Sequence, residues 1–334
     1  MEKSAILLVG GFGTRLSPLT SLTPKPMLHV AGIPFTEHQI AKARAAGITE
    51  IVLATSYLAE VFEPHFGNGE KFGIRIAYAV EEEALGTGGA ISNAAQQLCG
   101  EGPVFIFNGD VLSSHDLNAQ LALHLEGEAD ATLHLTEVED ARAFGVVEMQ
   151  GNQILTFNEK MENPPTHMIN AGCYIFDRRV IESIPSGRVV SVERETFPQL
   201  LQAGSRVLGY LDSSYWLDIG TPAALLKATN DLIAGKAHSI AYDELLLSGS
   251  YRVENDSLIS TSARISSGVE IGKGSVIGAG ASLESGVVIE GSVIGQGSSV
   301  GESAHLAHTF LAENSEIPAG FIATNQFFGF SPKK

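Results

Sequence analysis

The chain reads as an α/β protein, a Rossmann-like mixed and mostly parallel sheet followed by a coil of short parallel strands, and three observations predict it. From residue 4 to about 235, short apolar runs alternate with helical patterns, the pattern of a sheet covered on both faces. The first of those runs leads directly into a loop with Gly10, Gly11 and Gly13. After residue 258, aliphatic residues recur every six positions, a period that neither a helix at about 3.6 nor a flat strand at about 2 explains.

In chain order, strands are expected near 4–9, 51–55, 74–79 and 103–108, with helices near 36–46, 58–66, 88–98 and 116–125. Ligands of such sheets gather at the carboxyl ends of the strands. Between about 129 and 217 the pattern turns strand-rich, with DATLHL, GVVEM, ILTF and MINAGCYIF separated by polar turns, so the sheet becomes mixed there. A helix then opens at Pro222, which suits a first helical turn, with Thr221 as its N-cap.

In the C-terminal part, Ile259, Ile265, Ile271, Ile277, Leu283 and Ile289 stand six apart; Ile294, Val300 and Leu306 follow a five-residue step, and Leu311 and Ile317 another. Four residues beyond these positions sit mostly small or aliphatic partners, from Ala263 to Ala304. One hexad per side makes a three-sided coil, with glycines in the turns. The repeat resembles the left-handed parallel β-helix of the hexapeptide-repeat proteins. Such modules usually serve assembly, and a short solenoid needs its ends covered, so a homo-oligomer through the coil is expected. An acyltransferase built on this coil would need a catalytic His in an excursion loop, whereas His305 and His308 lie within the repeat. The expected divisions are an α/β domain over 1–237, a linker over 238–258, the β-helix over 259–322 and a tail over 323–334.

Lys and Arg number 21 against 38 Asp and Glu, a formal net charge of −17, which argues against nucleic acid, whose binding rests on clustered cations. A phosphorylated small molecule can still bind where backbone N–H groups and a few cations make a local exception. No segment approaches the roughly 18 apolar residues of a membrane span, and the run Ala5–Val9 is too short for a signal-peptide core. Cys99 and Cys173 show no C-x-x-C spacing and no disulfide-rich framework, so two ordinary buried thiols in a reducing compartment, the cytoplasm, are expected.

The glycine loop lies where backbone must come close to a ligand, and phosphates are its natural guests. It is not a Walker A motif, lacking G-K-[ST], and not a dinucleotide fingerprint, because Leu16 stands where a third glycine belongs. Thr14, Arg15 and Leu16 follow it, then Lys25 between Pro24 and Pro26. Further on, FNGD sets Asp110 at the end of one strand and WLDIGTP sets Asp218 after another. Two such carboxylates could share a hard cation such as Mg²⁺ with substrate phosphates.

G-G-x-G-T-R-L followed by P-K-P-M resembles the signature of the NDP-sugar pyrophosphorylases, the sugar-1-phosphate nucleotidyltransferases, and further matches follow in order as far as Pro222. The resemblance implies transfer of a nucleotidyl group from a nucleoside triphosphate to a sugar 1-phosphate, with Mg²⁺ held by Asp110 and Asp218. It implies a nucleotide site of Val9, Gly10, Gly11, Gly13, Thr14, Arg15, Lys25, Glu81, Gly86, Thr87 and Asp110, with Arg15 neutralising the β- and γ-phosphates and Lys25 touching phosphates during transfer. FGVV, FNEKM and INAG assign sugar contacts to the Gly145 backbone, Glu159 and Asn170, and the 1-phosphate to Lys160; Asp218 also faces that substrate.

The sequence departs from the family pattern at Met161, where a proline is usual, at His29, where proline often follows P-K-P-M-L, and at Phe35-Thr36-Glu37. Glu193, in SVERETFP, reads equally as a site residue or a solvated first-turn acid. The base is addressed by Glu81: uridylyl- and thymidylyltransferases commonly have Gln there, whereas a carboxylate only accepts and guanine offers two adjacent donors. That agrees with a wider similarity to mannose-1-phosphate guanylyltransferases in LVGG, ATSYLAE and EEE-x-LGT. Glu81 as part of a solvated acidic run, a UTP- or dTTP-dependent glucose-1-phosphate enzyme, and a catalytically silent regulatory homologue stay open at this level.

Overall fold

The computed structural model describes residues 2–56 and 58–329. The chain forms two compact units: one takes the chain up to Gly11 and again from Ala43 to Trp216, the other takes Phe12–Lys42 and the described residues from Leu217 onward.

The first unit is built on a nine-stranded sheet of β1 (Lys3–Leu8), β2 (Ile48–Thr55), β3 (Arg75–Val80), β4 (Val104–Asn108), β5 (Ala131–Glu137), β6 (Gly145–Gln150), β7 (Gln153–Glu159), β8 (Met168–Phe176) and β9 (Val207–Leu211), in spatial order β3-β2-β1-β4-β8-β5-β9-β7-β6. The first four strands run parallel. Their apolar runs are nearly unbroken because both faces are covered. Strand β8 is antiparallel to β4 and β5, while β6 and β7 form a hairpin around Gly151, at φ 59°. Ile6, Val52, Ile91, Ile106, Leu133, Tyr174, Phe176 and Phe197 are fully buried in this unit's core.

The helices follow the expected order: α1 (Phe35–Ala45), α2 (Phe62–Phe66), α3 (Gly86–Ala95), α4 (Leu117–Glu126), α5 (Arg178–Ser183) and α6 (Phe197–Gln202). The helix expected over 58–66 is shorter, a single 3₁₀ turn at Ala59–Val61 and then α2. Pro64 lacks an N–H and Gly67 caps the end, which together stop it.

In the second unit, Thr221 caps α7 (Pro222–Ile233) through the Ala224 N–H at 3.2 Å. The stretch 238–258 is itself structured: α8 (Ile240–Leu247), then a hairpin of β10 (Tyr251–Glu254) and β11 (Ser257–Ser260). Asn255 and Asp256, both at positive φ, supply the two-residue turn that right-twisted strands favour.

Strand β11 begins one face of the coil, which continues through Val276–Ile277, Val293–Ile294, Phe310–Leu311 and Phe327–Phe328; two further parallel sheets complete the prism of a left-handed β-helix. Leu258 pairs with Val276, eighteen residues on, but Val276 pairs with Val293 and Val293 with Phe310, seventeen on. The five-residue steps in the sequence are these shortened coils. Pairing runs past residue 322 because Ala323 and then Phe328 repeat the pattern with another five-residue step. Corners fall at left-handed residues with the same rhythm, Gly268, Gly274, Gly280, Gly286, Gly291, Gly297, Ser303, His308, Asn314, Gly320 and Asn325. Glycine is favoured at Gly291 and Gly297 by positive φ and by close approach, since a Cβ would lie 2.9 Å from His308 Nδ1 and 2.6 Å from Asn314 Oδ1 of the next coil.

Candidate active site

In the first unit the groups collect at the carboxyl ends of the parallel strands. Strand β1 ends in register with Asn108 of β4, and the Gly109 N–H donates to the Leu8 carbonyl at 2.9 Å. This brings Asp110 beside the start of the glycine loop. Val9 is buried and donates to Ala54 O at 2.9 Å. A Cβ on Gly10 would lie 2.8 Å from Ser56 Oγ, which donates to Gly10 O, whereas Gly11 has open space around it. Gly11 is therefore where a ligand can approach the backbone closely.

Glu81 leaves β3 with its N–H on Thr55 O, and its carboxylate accepts from the Leu85 N–H at 3.0 Å. Burial pushes its pKa up, opposed by that hydrogen bond. Gly86 opens α3 at φ 69°, where a Cβ would meet Val190 O at 2.6 Å. Thr87 donates its hydroxyl to Glu193 at 2.8 Å and accepts from the Val192 N–H at 2.9 Å. Glu193 also accepts from Ser191 Oγ at 2.9 Å. It is thus no solvated acid but ties the Gly86-Thr87 segment to the 191–196 turn. No local spacing could reveal a contact between residues so far apart in sequence.

Gly145 sits opposite Glu159 in the β6/β7 register, and a Cβ on it would come within 2.6 Å of Phe157 Cζ and 2.9 Å of Glu159 Oε2. The Glu159 carboxyl is raised by burial and then by the neighbouring Glu193, with Lys160 and Arg194 opposing. Lys160 holds a left-handed φ of 52°, its N–H donates to Phe144 O at 3.1 Å, and its Nζ lies 3.8 Å from Glu159 Oε1. Asn170 donates to the Tyr174 hydroxyl at 2.8 Å and accepts from the Gly172 N–H at 3.1 Å. These contacts span a break in the β8/β5 register. Such an irregularity re-aims side chains.

In the second unit, Gly13 takes φ 59° and caps one 3₁₀ turn, Thr14–Leu16, in which Leu16 is buried while Thr14 and Arg15 are exposed. A second turn, Lys25–Met27, presents Lys25 half-buried. A Cβ on Gly13 would stand 3.0 Å from Lys25 Cβ, so the two turns touch. A Cβ on Gly220 would stand 2.9 Å from both Arg15 Nη2 and Asp218 Oδ1. Gly220, two positions after Asp218, thus packs against both side chains, a contact to Arg15 that no local spacing reveals. Asp110, in the first unit, and Asp218, in the second, are each a hard oxygen donor of the kind Mg²⁺ takes. Among the described residues no group of three or more His, Cys, Asp or Glu side chains could hold a metal.

A parallel sheet with a glycine-rich loop at its carboxyl edge is an arrangement in which α/β proteins bind phosphorylated ligands. The family model described as Nucleotidyl transferase matches residues 4–235, and the chain belongs to that family. Over 242 residues it is 50% identical to the mannose-1-phosphate guanylyltransferase of Mycobacterium tuberculosis, covering 72% of this chain and 67% of that one. It is 39% identical to the mannose-1-phosphate guanyltransferase of Yarrowia lipolytica over 67% of this chain and 62% of that one; the chain thus spans about two thirds of the curated relatives it matches. Among solved structures, a Bacillus anthracis protein assigned as a glucose-1-phosphate thymidylyltransferase superposes with a TM-score of 0.64 at 26% identity, covering 72% of this chain and 99% of that one. HddC from Yersinia pseudotuberculosis superposes with a TM-score of 0.59 at 26% identity, over 69% of this chain and 99% of that one.

Proposed function

We propose that this nucleotidyltransferase joins GTP to mannose 1-phosphate, giving GDP-mannose and pyrophosphate. The observation that carries the reading is the 50% identity to the mycobacterial mannose-1-phosphate guanylyltransferase. A phosphate oxygen of the sugar 1-phosphate attacks the α-phosphorus of GTP in line, the bond to the β-phosphate oxygen breaks, and pyrophosphate leaves. No residue becomes covalently attached; the chain's task is alignment and charge neutralisation. The Gly10–Gly13 backbone and Arg15 hold the triphosphate, Lys25 meets the charge that builds as pyrophosphate departs, and Lys160 holds the attacking phosphate. Glu159 and Asn170 take the sugar hydroxyls. Mg²⁺ on Asp110 and Asp218 would supply charge neutralisation at the phosphate oxygens. Glu81 accepts from the guanine ring N–H and amino group.

Pyrophosphate release tests the reading with GTP, UTP, dTTP and ATP against mannose and glucose 1-phosphates. GTP with mannose 1-phosphate should lead, and Glu81→Gln should erode the preference for GTP over UTP. A wild-type preference for UTP or dTTP would overturn the assignment of the base. The same reading places the enzyme in the cytoplasm, in keeping with two cysteines that form no disulfide, Cys173 buried as expected and Cys99 exposed, contrary to the expected burial; no described helix is long and apolar enough to cross a membrane. It also joins like subunits through the coil, an expectation that light scattering checks.

A further inference from the structure

The departure at His29 faces the coil. His29 Nε2 lies 3.3 Å from Glu313 Oε1, in the turn after the coil strand Phe310–Leu311. Beside this pair, Met27 and Leu28 of the Lys25 turn share a cavity of about 30 Å³ with Tyr251, Val276, Val293 and Phe310. That volume has room for a water and nothing larger, so the gap is a packing seam and not a ligand site. The segment meets the coil twice more: a Cβ on Gly32 would lie 3.2 Å from Leu258 Cδ2, and one on Gly329 would lie 2.5 Å from Pro18 O.

From that seam the constraint passes to Lys25 through short covalent and hydrogen-bonded steps. The Leu28 N–H donates to Lys25 O at 3.1 Å, and the Thr36 hydroxyl donates to the buried Pro26 carbonyl at 2.9 Å. His29 is therefore joined, through Leu28, to the turn that bears Lys25. The His29 and Glu313 side chains are 24% and 40% exposed, and an ion pair that wet adds little to stability. Its geometry is specific all the same, because a proton on Nε2 donates to the carboxylate whether the imidazole is neutral or charged.

We propose that Glu313 is a positioning residue: through His29 it fixes the turn that presents Lys25 to substrate phosphates, which makes the β-helix part of the support of the reaction as well as a module for assembly. The proposal rests on the transferase reading above. In the full chain, Glu313→Gln and His29→Ala should each lower kcat by about tenfold while leaving KM for both substrates within about twofold, the split expected when alignment and not binding is lost. The reversed pair, His29→Glu with Glu313→Lys, should restore most of kcat. Independently of activity, amide hydrogen exchange over residues 24–30 should rise in both single variants, with exchange in Lys3–Leu8 and the thermal midpoint unchanged. An unchanged kcat with unchanged exchange, or no rescue by the reversed pair, overturns the proposal. A wild-type chain that releases no pyrophosphate, in which exchange still responds, overturns the transferase reading and leaves the brace.

Discussion

Lys25 and Gly145 show how single residues carry the proposed chemistry in opposite ways, one by its charge and the other by having no side chain. Lys25 sits half-buried on a one-turn helix against the Gly13 corner. A cation that meets charge only as it develops contributes to turnover and not to ground-state binding. Lys25→Ala is therefore expected to lower kcat by about two to three orders of magnitude with folding intact, which steady-state pyrophosphate release checks. At Gly145 an added Cβ would press on Phe157 and on the Glu159 carboxylate. Overpacking of this kind costs about 1–3 kcal/mol, paid partly as displacement of Glu159. Gly145→Ala should raise KM for the sugar 1-phosphate more than tenfold, by about 1.4 kcal/mol or more, and leave KM for the triphosphate nearly unchanged. Equal effects on both substrates would remove Glu159 from the sugar site.

At the scale of elements, α1 and α8 are joined in the second unit by one buried imidazole. His38 is 3% exposed; its Nε2–H donates to Val30 O at 2.9 Å, and its Nδ1 accepts from the hydroxyl of Ser239, the residue that caps α8. Burial lowers its pKa to about 4, only partly opposed by the hydrogen bond to Val30 and the charge of Glu37. Above about pH 6.5 both folded and unfolded chains hold it neutral, with no cost. As pH falls from 6.5 toward 4 the unfolded chain gains a proton that the folded chain refuses, so stability falls across that window, by about 3 kcal/mol in full. Urea unfolding at pH 7 and pH 4.5 should show this loss, and His38→Gln should flatten it. Equal slopes in the two proteins would assign the acid sensitivity elsewhere.

At the scale of the molecule, the chain order of the motifs and their grouping in space differ. Residues 12–42, which bear Arg15 and Lys25, belong with 217 onward, while the rest of the glycine loop belongs with the sheet. A chain cut after Ala237 would expose Met27 and Leu28, which face Val276, Val293 and Phe310 in the whole protein. It is expected to lose hydrogen-exchange protection over 13–32, to self-associate through that apolar surface, and to release no pyrophosphate. Retained activity would show that the segment finds its support without the coil.

The parallel strands, the coil and the class of chemistry are legible along the chain, because each is written in a local period or a tight spacing. Alternating apolar runs give β1 to β4, hexads give the prism, and G-G-x-G-T-R-L with P-K-P-M carries the resemblance to the nucleotidyl transferase family. The shortened coils were also legible, as five-residue steps at 289–294 and 306–311. Which residues share a surface across long separations follows from the packed fold alone. Glu193 reads equally as a site residue or a solvated acid until Thr87 is seen to donate to it. Gly220 has no assigned part in the sequence, and the fold sets it against Arg15 and Asp218. His29 reads as a stray departure until Glu313, nearly three hundred residues later, faces it. Spacing constrains neighbours along the backbone, whereas contacts between distant segments follow from how whole elements bury their apolar faces, and that is settled only when the chain has packed.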